Sequence, residues 1–101
     1  VTALLASPHL AGVAFLDLEG NPAGGLDAKR LAEVSPGGLR MLHAHGCHFR
    51  TADVRALARC PRLRTLWYLD LDANGIGTTA VRELVRGFGD WCPPVLWLTF
   101  N

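Results

Sequence analysis

Hydrophobic positions recur in three stretches of the chain that superpose without gaps. These stretches are VAFLDLEGN at 13–21, LRMLHAHGC at 39–47 and LWYLDLDAN at 66–74. An aliphatic residue fills the first, fourth and sixth positions of each, whereas the fifth and seventh positions hold Asp, Glu or His. Alternation with a period of two predicts a short strand with one apolar and one polar face.

The superposition defines five columns of equivalent residues. They are Val13, Leu39 and Leu66; Leu16, Leu42 and Leu69; Leu18, Ala44 and Leu71; Asn21, Cys47 and Asn74; and Ala23, Phe49 and Ile76. We expect a fourth copy to begin at Val95, with Leu98 and Phe100 in the next apolar columns. The copies then start at 13, 39, 66 and 95, which are 26, 27 and 29 residues apart. Such spacing indicates an internal repeat.

Apolar pairs three residues apart predict a helix after each strand. The predicted helices cover 26–34, 51–60 and 78–88, and 1–7 resembles the tail of an earlier helix. The second and third begin with Thr51 and Thr78, a residue type that favours helix starts. Pro61 and Pro93 lie just past these two helices, where proline ends them.

The columns resemble the leucine-rich-repeat signature L-x-x-L-x-L-x-x-N/C-x-L. The period is similar to that of the helix-bearing, ribonuclease-inhibitor-like subclass. This resemblance implies an α/β fold, a right-handed β-α solenoid with a short parallel sheet on its concave face and helices on its convex face. It also implies buried structural roles for Asn21, Cys47 and Asn74.

The resemblance covers nearly all of the 101 residues, which form one domain. It divides the chain into the end of a preceding repeat (1–12), three repeats (13–38, 39–65 and 66–94) and the start of another (95–101). We therefore expect the chain to be an excerpt of a longer solenoid. Because each repeat is stabilised by its neighbours, an isolated segment should be marginally stable or self-associate through its open ends.

The stretch LHAHGCHF at 42–49 carries the most candidate chemistry. If the strand continued through it, His43, His45 and Cys47 would point to one face and could chelate zinc or copper. The resemblance implies instead that the chain turns inward at Cys47. Only His43 and His45 then stay on the exposed concave face.

Three columns should line that face. They are Phe15, Met41, Tyr68 and Trp97; Asp17, His43, Asp70 and Thr99; and Glu19, His45, Asp72 and Asn101. Neighbouring parallel strands lie about 4.8 Å apart, so each histidine should lie between two carboxylates.

Three interpretations of this acid and histidine patch stay open. The histidines could relieve repulsion among the carboxylates. The face could bind a protein partner, since solenoids bind on their concave surfaces. His43 and His45 could hold a zinc-like metal with flanking carboxylates.

Composition narrows the function classes. A net charge of +1 and the absence of phosphate-binding glycine motifs give no support to nucleic-acid or nucleotide binding. The sequence has no apolar run long enough for a membrane span. Three cysteines, an odd number, favour a reducing, cytoplasmic location. Catalysis by the histidines would also require a nucleophile, and the columns that contain them offer no evident one.

The sequence therefore predicts a protein-binding module without an enzymatic activity or a cofactor of its own. The alternative is a metal-dependent role centred on His43 and His45. The predicted contact residues are Phe15, Asp17, Glu19, Met41, His43, His45, Tyr68, Asp70, Asp72 and Trp97.

Overall fold

The fold is a parallel sheet covered on one side by helices. The computed structural model describes residues 2–34 and 37–99. The strands are β1 (Phe15–Asp17), β2 (Met41–His43), β3 (Tyr68–Asp70) and β4 (Val95–Trp97), and the helices are α1 (Thr2–Leu5), α2 (Leu26–Val34), α3 (Thr51–Ala58) and α4 (Gly77–Phe88). Short 3-10 helices at Leu10–Gly12 and Pro61–Thr65 lead towards β1 and β3. The predicted strands and helices are thus confirmed, and the ends of α2, α3 and α4 lie within two residues of the predicted bounds.

The four strands lie side by side in chain order, and all pairs are parallel. Their central residues, Leu16, Leu42, Leu69 and Leu96, are register partners. The hydrogen bonds continue past the strand ends, because the N–H groups of Gly20, Gly46 and Ala73 donate to the carbonyls of His45, Asp72 and Thr99. The alignment of the three repeats therefore holds over the whole polar part of the sheet.

The core lies between the sheet and the helices. Leu16, Leu42 and Leu69 from the strands and Leu31, Leu57 and Leu84 from the helices belong to one buried cluster. Full burial of one such leucine contributes about 1.5–3 kcal/mol. The opposite face of the sheet carries the polar residues of the alternation, and we refer to it as the open face.

The register of β4 differs from the sequence prediction by two residues. Val95 pairs with Tyr68, and Trp97 pairs with Asp70. Trp97 therefore does not follow Tyr68, and Thr99 lies beside Asp72 rather than Asp70. A shift of two residues keeps Trp97 and Thr99 on the open face, because the alternation has a period of two, whereas Val95 leaves the buried first column and joins the row of Tyr68. Phe100 and Asn101, which were also assigned to columns, lie outside the described residues.

The helix α3 begins at Thr51, as predicted, but Thr51 does not cap it. Thr51 is already helical, and the residue before the helix is Arg50. The N–H of Arg50 donates to Asp53 Oδ2 at 2.8 Å, so the carboxylate of Asp53 takes the capping role. The other oxygen of Asp53 accepts the N–H of Gly25 at 3.0 Å. One buried carboxylate thus joins the start of α3 to the turn before α2.

Candidate functional site

The open face brings together the predicted acid and histidine residues. Its central feature is the imidazole of His43, which lies between carboxylates from the two neighbouring strands. His43 Nδ1 is 3.3 Å from Asp17 Oδ1, and His43 Nε2 is 3.0 Å from Asp70 Oδ2. The side chain of Asp17 is 59% exposed, whereas that of Asp70 is only 8% exposed. The predicted flanking of His43 by two carboxylates is therefore present in the structure.

Backbone N–H groups orient both carboxylates. Asp17 Oδ1 accepts the N–H of Glu19 at 2.9 Å, and Asp70 Oδ1 accepts the N–H of Asp72 at 2.8 Å. The same local bond thus occurs at equivalent positions of β1 and β3. The N–H of Glu19 holds the pKa of Asp17 below its ordinary value, and the charge and hydrogen bond of His43 lower it further against a desolvation effect.

His45 lies one alternation beyond His43, in the same row as Glu19, Asp72 and Thr99. The two imidazole rings meet edge to face, with centroids 6.3 Å apart and an interplanar angle of 71°. Asp72 is buried, and its Oδ1 accepts the N–H of Thr99 at 2.6 Å. The second row is therefore also held by backbone contacts.

Within the part of the chain that the structure describes, two overlapping sets of residues could hold a metal ion. Potential ligand atoms of His43, His45 and Asp70 all lie within 4.8 Å of one another. The same is true of Asp17, Glu19 and His43. Both sets use His43. The first set includes the buried Asp70, whereas Asp17 and Glu19 in the second set are exposed.

Cys47 lies away from the histidines, as the repeat register predicts. The residue between His45 and Cys47 is Gly46, whose φ of 62° breaks the alternation. Cys47 is consequently buried, and its Sγ donates to the carbonyl of Leu18 at 3.0 Å. Burial raises the pKa of the Cys47 thiol above its ordinary value. The candidate ligands His43, His45 and Cys47 are thus divided between the surface and the core.

Asn74 occupies the position equivalent to Cys47 in the next repeat. Its Oδ1 accepts the N–H groups of Cys47 and Phe49 at 2.9 and 3.1 Å, and its Nδ2 donates to the carbonyls of Ala44 and Leu71 at 2.9 and 2.8 Å. Asn21 makes a smaller set, donating to the carbonyls of Leu18 and Glu19. It is exposed, so the expectation that Asn21 is buried is wrong. The side chains at these positions therefore hold the turns that follow the strands.

An apolar row lies beside the polar patch. Phe15, Met41 and Tyr68 are register partners, and Val95 continues the row. Phe15 is 60% exposed, and Trp97, now beside Asp70, is 47% exposed. Desolvation, followed by the charges of Asp70 and Asp72, raises the pKa of the Tyr68 hydroxyl.

Trp67 is an exposed aromatic residue that lies outside the predicted contact set. Its ring meets that of Tyr68 edge to face, with centroids 6.2 Å apart. It precedes β3 and therefore lies outside the alternating strand positions from which the contact residues were chosen. The sequence feature that could have identified Trp67 as a contact residue is a large aromatic side chain directly before Tyr68.

Two grooves lie on the helical side of the chain. The larger, about 430 Å³, is lined by Thr2, Ala6, Leu26, Asp27, Lys29, Arg30 and Glu33. A second groove of about 380 Å³ shares Leu26 and Lys29. Leu26 is 85% exposed, so this region is an alternative surface for contact.

Within residues 2–34 and 37–99, no helix has the length and apolar character needed to cross a membrane. Comparison of the chain with protein-family models, with curated proteins and with solved structures finds no match.

Proposed function

We propose that the chain is part of a leucine-rich-repeat solenoid and binds another protein on the open face of its sheet. The regular sequence columns and the side-by-side parallel strands, one for each repeat, support the architecture. In this proposal the helices form the convex side and the open face is the concave side. The role is binding rather than catalysis, and the setting is the cytoplasm.

The observation that carries the proposal is the exposure of large aromatic side chains beside fixed charges. Phe15 and Trp97 are about half exposed or more, at 60% and 47%. Aromatic residues that become buried in a complex commonly supply much of its binding energy. The exposed carboxylate of Asp17, which the N–H of Glu19 orients, adds a directional polar contact on the same face.

Charge indicates the kind of partner. Among the described residues, the open face holds the exposed carboxylates of Asp17 and Glu19 and the buried ones of Asp70 and Asp72, and it holds no lysine or arginine. A protein segment with basic and apolar side chains would complement this surface. Nucleic acid would be repelled by the same carboxylates.

Affinity capture with matched variants tests the proposal. The bait is the chain itself, compared with a Phe15→Ser, Trp97→Ser variant and with Val85→Ser on α4, where Val85 is similarly exposed at 59%. We expect wild type and Val85→Ser to retain the same protein, and the open-face variant to retain about tenfold less. Equal capture by the open-face variant, with its fold verified by circular dichroism, would argue against this surface.

A second variant tests the apolar row more narrowly. Tyr68→Ala should weaken the captured complex while leaving the fold intact, because Tyr68 is only partly buried. Raising the salt concentration should also weaken the complex, since screening reduces attraction between exposed charges. A complex insensitive to both changes would contradict the proposed partner chemistry.

A further inference from the structure

Each of the two ring nitrogens of His43 faces a carboxylate oxygen. A neutral imidazole has a single N–H group. The structure nevertheless places Nδ1 at 3.3 Å from Asp17 Oδ1 and Nε2 at 3.0 Å from Asp70 Oδ2. When Nδ1 donates to Asp17, the lone pair of Nε2 points at an oxygen of Asp70. Either a second ring proton or a metal cation held by these two atoms would satisfy both, and the surrounding residues favour the metal.

The same arrangement occurs around metal-binding histidines. A ligating imidazole commonly donates its other N–H to a carboxylate, which fixes the ring and increases its basicity. Asp17 is placed to accept that hydrogen bond, and its own oxygen is oriented by the N–H of Glu19. The outer support of a metal ligand is therefore already present around His43.

Asp70 is suited to be the second ligand. Its Oδ1 is occupied by the N–H of Asp72, which leaves Oδ2 facing His43. The side chain is 8% exposed, so water competes little for that oxygen. Two ligands of a tetrahedral zinc ion lie roughly 3.4 Å apart. The 3.0 Å between His43 Nε2 and Asp70 Oδ2 is close to this separation.

His45 completes a set of three. One of its ligand atoms lies within 4.8 Å of those of both His43 and Asp70. Two imidazoles and one carboxylate favour zinc and related transition-metal dications, whereas magnesium and calcium prefer sites made of oxygen ligands. Three protein ligands also leave a coordination position open to water or another molecule.

We propose that His43, His45 and Asp70 bind one zinc-like divalent metal ion on the open face, with Asp17 positioning His43. This site does not depend on the proposed protein partner. The competing set of Asp17, Glu19 and His43 is less suitable, because Asp17 and Glu19 are exposed and Asp17 Oδ1 already accepts the N–H of Glu19. Cys47 takes no part, since its buried Sγ donates to Leu18.

Calorimetric titration of the metal-free chain with zinc tests the site. We expect one ion per chain at micromolar or tighter affinity. His45→Gln and Asp70→Asn should each weaken binding by at least about tenfold, and Glu19→Gln should leave it unchanged. Glu19→Gln is the matched control. Like Asp70→Asn it removes one negative charge, but from a residue of the competing set. The amide introduced by Asp70→Asn would keep an oxygen for the N–H of Asp72, and His45→Gln gives a second reading if Asp70→Asn alters the fold.

Cobalt in place of zinc checks the ligand set independently. We expect visible d–d absorption and no thiolate charge-transfer band, because the ligands are nitrogen and oxygen atoms. Absence of binding at micromolar zinc would overturn the proposal. Loss of binding in Glu19→Gln but not in His45→Gln would do the same, as would a thiolate band from Cys47.

Discussion

The side chain of Asn74 is a hydrogen-bond partner for the backbone of Cys47, one repeat earlier in the chain. Asn74 Oδ1 accepts the N–H of Cys47 at 2.9 Å, and Cys47 occupies the equivalent position of its own repeat. The sulfur of Cys47 in turn contacts the carbonyl of Leu18, in the repeat before. Each of these two side chains therefore connects its turn to the preceding one.

Replacing Asn74 by leucine should destabilise the fold by about 1–3 kcal/mol, because backbone groups of two turns lose their partners. Asn21→Leu is the matched control and should have a smaller effect, since the hydrogen bonds of the Asn21 amide to described residues go to carbonyls of its own turn. Urea denaturation measures both, as a shift in midpoint at constant slope. Equal losses in the two variants would show that the contacts between turns contribute little.

Gly87 should be intolerant of alanine although it lies in a helix. Alanine favours helices over glycine by about 1 kcal/mol. A Cβ at position 87, however, would lie 2.6 Å from the Cβ of Ala58 on α3. We expect Gly87→Ala to lower the free energy of unfolding by about 1–3 kcal/mol through overpacking.

Ala58→Gly removes the atom that the new methyl group would meet. The double variant Ala58→Gly, Gly87→Ala should therefore be more stable than the sum of the two single effects. Thermal unfolding of the four proteins in this cycle measures the coupling. A stabilising Gly87→Ala would mean that α3 and α4 lie farther apart than the structure shows.

The three free cysteines should differ in reactivity. Cys92 is exposed, whereas Cys47 is buried and burial raises the pKa of its thiol. The thiolate is the reactive form, so Cys47 should resist alkylation in the folded chain and react after denaturation. Mass spectrometry of the peptides after timed iodoacetamide treatment measures this. Rapid native labelling of Cys47 would place its sulfur on the surface instead of in the core.

The carboxyl group of Asp17 should titrate below its ordinary pKa of 3.8, even after His43 is replaced by glutamine. The main cause of the lowered pKa is the backbone N–H of Glu19, which the substitution leaves in place. Because the native pKa lies below that of the unfolded chain, this contribution to stability is present above the ordinary pKa. It is lost as the pH falls through the native value. Carbon-13 NMR titration of His43→Gln tests the cause, and an ordinary pKa there would assign the shift to His43.

The repeated columns were sufficient to predict the helices and the first three strands. They failed at β4 because its two possible registers differ by two residues and both place Trp97 and Thr99 on the open face. The prediction matched Val95 to Leu66. The structure instead puts Pro93, which is buried, at that position, so that Leu96 follows Leu69. The column of Val13, Leu39 and Leu66 is aliphatic, so the repeat pattern did not predict a proline at its fourth position.

The sequence was sufficient to predict which residues of the site lie side by side on neighbouring strands, but not which of their side-chain atoms make contact. Strand pairing placed Asp17, His43 and Asp70 side by side, and the structure agrees. Which nitrogen meets which carboxylate depends on side-chain rotamers, and the burial of Asp70 depends on three-dimensional packing. Trp97 lies beside Asp70 for the same reason that the β4 register was wrong. A single sequence contains no direct record of these distances.

The central claim, that the open face is where the chain meets a protein partner, is tested most directly by site-specific photo-crosslinking. Benzoylphenylalanine is introduced at Phe15 or Trp97 on the open face, and at Val85 or Leu26 on the helical side, four positions that are all exposed. We predict that one protein is crosslinked from both open-face positions and from neither helical position. Crosslinking of that protein from Val85 or Leu26, with none from Phe15 and Trp97, would contradict the account.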